Sequence, residues 1–495
     1  MFGVYNTTTA ATTSSSIYSV AQLLRKKKNS LTEFTAWLQQ HQSNSYHLCL
    51  EDDDEVIIND DTNIDMNMLS TVKEDLENWK HAIRSNQFIK DADIWIQTDR
   101  APQQNSAAFI INIYIYAIVL ALAELPNLES IQIRGYCHAM PLSVLTKLLE
   151  KAPKLQTFNL TSVKLQVSSE QDLQELSRAL AQASPNLEQV NWQDIQLHLH
   201  EIPSEENNSS AFLDAVFLGL AHTPNLKSLL LSPAKVDVLG TLSPQPLAKL
   251  LESATLEKLV LSSLKAPHNQ LVQEEDIDKN ILLFQTISQV LSQKNKHKNK
   301  SNLKILHVPF RNTPSYCNYV SDILIHNTTL EEMTLLCYQN EGLPTIIQQP
   351  QSQSMPLLQI AKALVKTRIP KFHMVGPEAT RISDPNILQA FAFAPEVNYH
   401  LQQVTLFRLV QNHHFAPQLQ YQCHLNQQGR QRWIEHQYNT TPATATSMKC
   451  PVSFLSQVSK DLDGLYYYLS CVNPSLLMHA TQRVREQQLQ DQQQL

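Results

Sequence analysis

Leu125-Pro126-Asn127-Leu128, Ala152-Pro153-Lys154-Leu155, Ser184-Pro185-Asn186-Leu187 and Thr223-Pro224-Asn225-Leu226 decide how this chain is read. Each phrase ends a helix-like stretch and opens the frame Leu-x-x-apolar-x-apolar. Recurrence at spacings of a few tens of residues is the mark of a solenoid. In the frame, the last two apolar residues alternate with other residues, so they share one face of a short strand. The first leucine follows the turn and enters the same core. Proline stops the helix before it, because it cannot continue the hydrogen-bond ladder.

Seven frames are clear: Leu128/Ile131/Ile133, Leu155/Phe158/Leu160, Leu187/Val190/Trp192, Leu226/Leu229/Leu231, Leu256/Leu259/Leu261, Leu303/Leu306/Val308 and Leu330/Met333/Leu335. Two weaker ones follow, Ile369/Phe372/Met374 and Leu401/Val404/Leu406, and a degenerate one precedes them at Ile94/Ile96. From Leu128 onward, first positions are 27, 32, 39, 30, 47, 27, 39 and 32 residues apart. The shortest interval holds one strand, one loop and one helix. The longer ones carry polar insertions, 201–210, 294–300 and the Gln-rich 348–353. The stretch before Pro185 shows the helix, with Leu173, Leu176 and Leu180 on one side at a 3.6-residue period. One repeat cannot bury its own apolar face, so neighbours stack and their strands pair side by side.

Outside the frames, residues 1–30 read as a disordered Thr/Ser-rich tail without the apolar core of a signal peptide. The run Arg25–Lys28 is read as a solvated charge cluster, with a nuclear-import signal as the rival. Helices are expected over 31–40 and 68–83, and strands over 46–50 and 55–58. The acidic run Glu51–Glu55 lacks the glycine and terminal Glu spacing of a calcium loop and is read as a solvated turn. The apolar run Phe109–Ala123 is long enough for a membrane span. It ends in Leu125-Pro126-Asn127-Leu128 and carries Asn112, Tyr114 and Tyr116, so a buried helix is expected instead.

Composition excludes several chemistries. The chain has 495 residues and only 8 glycines, none clustered. Phosphate-cradling loops need clustered glycines, so Walker-type and dinucleotide motifs are absent, as is a Gly-x-Ser-x-Gly elbow. Seven widely spaced cysteines without Cys-x-x-Cys argue for a reducing compartment and against a disulfide framework or Cys-based zinc site. A formal charge of −7 makes sequence-independent nucleic-acid binding a poor expectation. His198-Leu199-His200-Glu201 lacks a third metal ligand by spacing, and His413-His414 is not a site.

The frames resemble leucine-rich repeat proteins of the ribonuclease-inhibitor type, over about residues 90–410. The resemblance implies an α/β solenoid, with a curved parallel sheet inside, helices outside and helical flanking segments. The chain departs from the family in its irregular repeat lengths. It also departs in the slot that usually holds Asn or Cys, where Val163, Ile195 and Leu264 stand. An asparagine ladder at that slot, and a smoothly curved horseshoe, are therefore not expected. The segments 421–430, 461–469 and 473–476 resemble a C-terminal module found on such arrays in proteins of single-celled algae, and Leu462, Leu465, Tyr466 and Leu469 make a helical stripe suited to a cap. The expected organisation is a tail (1–30), a flanking region (31–100), the leucine-rich repeat array (101–407), a helical capping module (408–480) and a Gln-rich tail (481–495).

In such repeats the remaining strand positions face the concave side. They are Ser130, Gln132 and Arg134; Thr157 and Asn159; Gln189, Asn191 and Gln193; Ser228, Leu230 and Ser232; Lys258, Val260 and Ser262; Ile305 and His307; Glu332 and Thr334; Lys371 and His373; Gln403 and Thr405. The first repeats are polar and almost uncharged, and apolar residues enter from Leu230. A mixed neutral surface suits a protein or peptide better than a phosphate backbone. The expected partner-binding residues are Arg134, Gln189, Asn191, Leu230, Lys258, Val260, Ile305 and His307. The expected function is a non-enzymatic scaffold for a protein partner in cytoplasm or nucleus, with no cofactor, metal, nucleic acid or membrane. The resemblance offers an alternative, regulation in trans as a GTPase activator or a substrate-recruiting ubiquitin-ligase subunit. The first needs an exposed arginine, for which Arg134 and Arg311 are the candidates; the second needs an adaptor helix, and no F-box is recognisable in 31–90.

Overall fold

A computed structural model describes residues 45–51, parts of 77–97 and most of 116–262. It further describes 276–292, most of 301–337, 354–376, 384–406 and 415–427. The fold is α/β and solenoid-like, with open parallel sheets flanked by helices. It divides into two compact units, residues 1–267 and 268–495.

In the first unit the strands are β1 (Ser45–Glu51), β2 (Asp91–Gln97), β3 (Ser130–Arg134), β4 (Met140–Pro141), β5 (Thr157–Thr161), β6 (Lys164–Val167), β7 (Gln189–Leu199), β8 (Ser228–Pro233) and β9 (Lys258–Leu261). Its helices are α1 (Leu142–Lys151), α2 (Glu170–Gln182), α3 (Glu205–Leu220) and α4 (Pro244–Leu251). The main sheet runs β1-β2-β3-β5-β7-β8-β9 with every neighbour parallel. The sheet therefore already includes β1 and β2, which lie in the segment expected to flank the array. A side sheet joins β4, β6 and the far end of β7. In the second unit β10 (Ile305–Phe310), β11 (Glu332–Cys337), β12 (Lys371–Val375) and β13 (Gln403–Leu406) pair in parallel. Its helices are α5 (Asp276–Leu291), α6 (Pro314–His326), α7 (Ser354–Leu364), α8 (Pro385–Val397) and α9 (Phe415–Gln427).

Every frame read from the sequence, the degenerate one at Ile94/Ile96 included, is a strand. The leucines behave as the pattern requires: Leu128, Leu187, Leu303 and Leu401 are fully buried. So are Ile131 and Ile133, Leu306 and Val308 on the helix-facing side of their strands. The apolar run that ends at Ala123 is helical over 118–123 and buried there except at the half-buried Leu120, while 109–115 lie outside the described residues. Among the described residues no helix is long and apolar enough to cross a membrane. Aromatic contacts carry the core from one repeat to the next. Trp192 meets Phe158 edge-on at 5.7 Å and stacks on Phe212 at 6.0 Å, and Phe372 stacks on Phe391 at 6.5 Å.

The turn before each strand is built from one repeated backbone contact. The Lys90 carbonyl accepts from the Glu129 and Ser130 amides, and the Glu129 carbonyl from those of Gln156 and Thr157. Gln156, Glu188 and Lys227 repeat the pattern in the first unit, as do Lys304 and Pro370 in the second. The asparagine of the Pro-Asn-Leu phrase has its own role. Asn186 Nδ2 donates to the Pro153 carbonyl at 3.4 Å, and Asn225 Nδ2 donates to the Pro185 carbonyl. Thus each phrase bonds to the phrase before it. In the second unit, asparagines ending the helices take over. Asn327 Nδ2 donates to the Leu291 carbonyl at 3.0 Å, and Asn398 Nδ2 to those of Leu364 and Thr367 at 2.7 Å. The Leu291 and Leu364 carbonyls end their helices and have no partner within them. Asn426 in α9 does the same for Pro395, Asn398 and Leu401.

The strand exit is also periodic. Gly135, Ser162, Asp194 and Gly376 stand two residues after the last apolar frame position, and all four have positive φ, 114°, 57°, 53° and 118°. The Gly135 amide donates to the Thr161 carbonyl and the Ser162 amide to that of Gln193, so the left-handed turns also stack. Of the slot expected to lack asparagine, Val163 and Ile195 are buried, and Leu264 lies outside the described residues. The tails, Arg25–Lys28, Asp52–Asp54, the helix over 31–40, the strand over 55–58 and everything after Gln427 also lie outside the described residues.

Candidate interaction face

Strand alternation turns every second side chain away from the helices. In the first unit these side chains form cross-strand rows, because parallel register holds like positions level. One row runs Asp91, Ser130, Thr157, Gln189, Ser228, Lys258. The next runs Asp93, Gln132, Asn159, Asn191, Leu230, Val260. Neighbouring strands lie about 4.8 Å apart, so successive side chains of a row can touch a common ligand. The face grades from acidic (Asp91, Asp93) through amides to apolar Leu230 and Val260, beside Lys258.

Of the residues expected to bind, Gln189, Asn191, Leu230, Lys258 and Val260 meet on three adjacent strands. Gln189 is exposed; Asn191, Leu230 and Lys258 are half-buried. Val260 is only 7% exposed, so it offers almost no surface. Arg134 sits on β3 and is exposed. Its guanidinium donates to Asp93 at 3.1 Å and to the Gln132 side-chain oxygen at 2.8 Å. Asp93 as its partner was not foreseen, although Asp93 directly precedes Ile94 of the degenerate frame. Gln193 Nε2 donates to Asn191 Oδ1 at 2.9 Å. The side-chain oxygens of Gln132 and Asn191 are therefore engaged, and their N–H groups point the row's hydrogen-bonding capacity toward acceptors.

Ile305 and His307 belong to the second unit, whose outward rows are Ile305, Glu332, Lys371, Gln403 and His307, Thr334, His373, Thr405. His307 Nε2 and Glu332 Oε1 lie 2.9 Å apart, and both residues are about one quarter exposed. Burial pulls the His373 imidazole below its ordinary value; Glu332 opposes that shift, while His307 and Lys371 add to it. The folded chain thus resists a proton that the unfolded chain accepts. The His373 contribution to stability is present above about pH 6.5 and is lost as pH falls. Protection factors for hydrogen exchange in 371–375 should fall as pH is lowered from about 7.5 to 5.5, and His373→Gln should weaken this fall. An unchanged pH response in the variant would show that His373 is not the cause.

Other chemistry-bearing groups lie apart from this face. His198 is exposed near the end of β7, while His200, Glu201, Arg311, His413 and His414 lie outside the described residues. Among the described residues no cluster of three His, Cys, Asp or Glu could hold a metal ion. Cys317 and Cys423 are free and buried, and burial pushes their thiols up to about 12 and about 11. They stay protonated and unreactive at neutral pH. No protein-family model matches the chain, and no curated protein is significantly similar to it.

Proposed function

We propose that this chain is a leucine-rich repeat scaffold without catalytic activity, binding a protein partner on the sheet face opposite the helices. The observation that carries the reading is the row Gln132, Asn159, Asn191, Leu230 on that face. Among the described residues its amide N–H groups have no hydrogen-bond acceptor, while Arg134 and Gln193 occupy two of the acceptor oxygens. Uncharged N–H donors at strand spacing, next to an apolar side chain, complement main-chain carbonyls and an apolar anchor of a polypeptide. A polyanion would meet Asp91 and Asp93 at one end of the same rows. The partner is met in cytoplasm or nucleus, in keeping with the free buried thiols of Cys317 and Cys423. Regulation of a GTPase in trans is the weaker reading, because Arg134 is tied to its own sheet.

The test exchanges donors for acceptors at constant shape. Asn159→Asp/Asn191→Asp and wild type are each fused to a proximity-labelling enzyme in cells. Proteins enriched by the wild type should fall at least about tenfold with the variant, the effect of losing two interface hydrogen bonds, while far-UV circular dichroism stays the same. Equal enrichment by a folded variant would remove this face as the binding surface.

A further inference from the structure

At the corner where β7 leaves the main sheet for the side sheet, the register against β8 shifts between Gln193 and Ile195. Asp194 makes the turn with φ 53°, and from Gln196 the strand pairs with β6. The bulge breaks the inward-outward alternation. Trp192 and Ser232, from opposite faces by alternation, consequently line one cavity. Its other walls are apolar, among them Ile195, Phe212, Leu213 and Leu231.

Trp192 and Ser232 are 1% and 2% exposed, yet among the described residues neither Trp192 Nε1 nor Ser232 Oγ has a hydrogen-bond partner. Buried polar groups are almost always satisfied, so two orphans on one cavity call for a shared ligand. An indole N–H only donates, which excludes a cation. Asp194, buried in the same bulge, disfavours an anion. The space open to the centre of a water-sized sphere is about 20 Å³, and one water needs roughly 10–15 Å³ on that measure. We infer that this corner is a binding site for a single water molecule, which accepts from Trp192 Nε1 and bonds Ser232 Oγ. The water links β7 to β8 where the bulge weakens their direct pairing.

A crystal structure of the full chain at about 2 Å should contain one water about 2.7–3.2 Å from both atoms. A double-mutant cycle tests the bridge in solution, using Trp192→Phe, Ser232→Ala and their combination. One shared water makes the losses non-additive. The double variant's urea midpoint should fall by clearly less than the two single shifts together. A dry cavity, or fully additive shifts, would overturn the inference.

Discussion

Gly376→Ala should destabilise the second unit by about 3–5 kcal/mol, read as a fall in its urea unfolding midpoint. Gly376 leaves β12 at φ 118°, a conformation that side-chain-bearing residues rarely adopt. A Cβ there would lie 2.1 Å from the Cys337 carbonyl oxygen, which belongs to the backbone of β11 and cannot rotate away. The strain and the clash add, because relieving either one moves β12 off the register that pairs Leu336 with Val375. Gly135 shares the left-handed exit, but its amide already bonds to Thr161. A midpoint within experimental error of wild type for Gly376→Ala would mean that the β11–β12 exit is not packed as described.

Asn398→Ala should cost about 2–4 kcal/mol, because it strands several buried groups at once. The Asn398 amide donates to the Leu364 carbonyl at the end of α7 and to the Thr367 carbonyl just beyond it, and its oxygen accepts from the His400 amide at 3.0 Å. Its own carbonyl in turn accepts from Asn426. Asn398 is 5% exposed, so water cannot replace what the side chain supplies. Asn398→Asp should cost nearly as much, since a carboxylate keeps the acceptor and loses both donors. A cost below about 0.5 kcal/mol for either variant would show that helix-end asparagines do not brace neighbouring repeats.

Much of this architecture was legible in the sequence. Period-two alternation located β3, β5 and β7–β13, and a helix-stopping proline marked the first four of them, since buried leucines recur only where strands stack. The rows of the sheet face proposed to bind were legible for the same reason: Gln132, Asn159 and Asn191 are the alternate residues of those strands. Other features were not. Val260 was read as surface, but alternation reports direction and not what lies alongside. The Arg134–Asp93 pair joins residues 41 positions apart, and only register brings them together. The braces at Asn327 and Asn398 act across repeats whose lengths differ, so no fixed spacing announces them. The corner at Asp194 depends on one left-handed residue, a conformation that Asp adopts only occasionally.

The claim that the sheet face binds a polypeptide is tested most directly by site-specific photo-crosslinking in cells. A benzophenone amino acid replaces Gln189, exposed on the proposed face, or Arg178, exposed on α2. The account predicts crosslinks to a discrete protein partner from position 189 and none to that partner from position 178. Crosslinks to a discrete partner from 178, with none from 189, would contradict it.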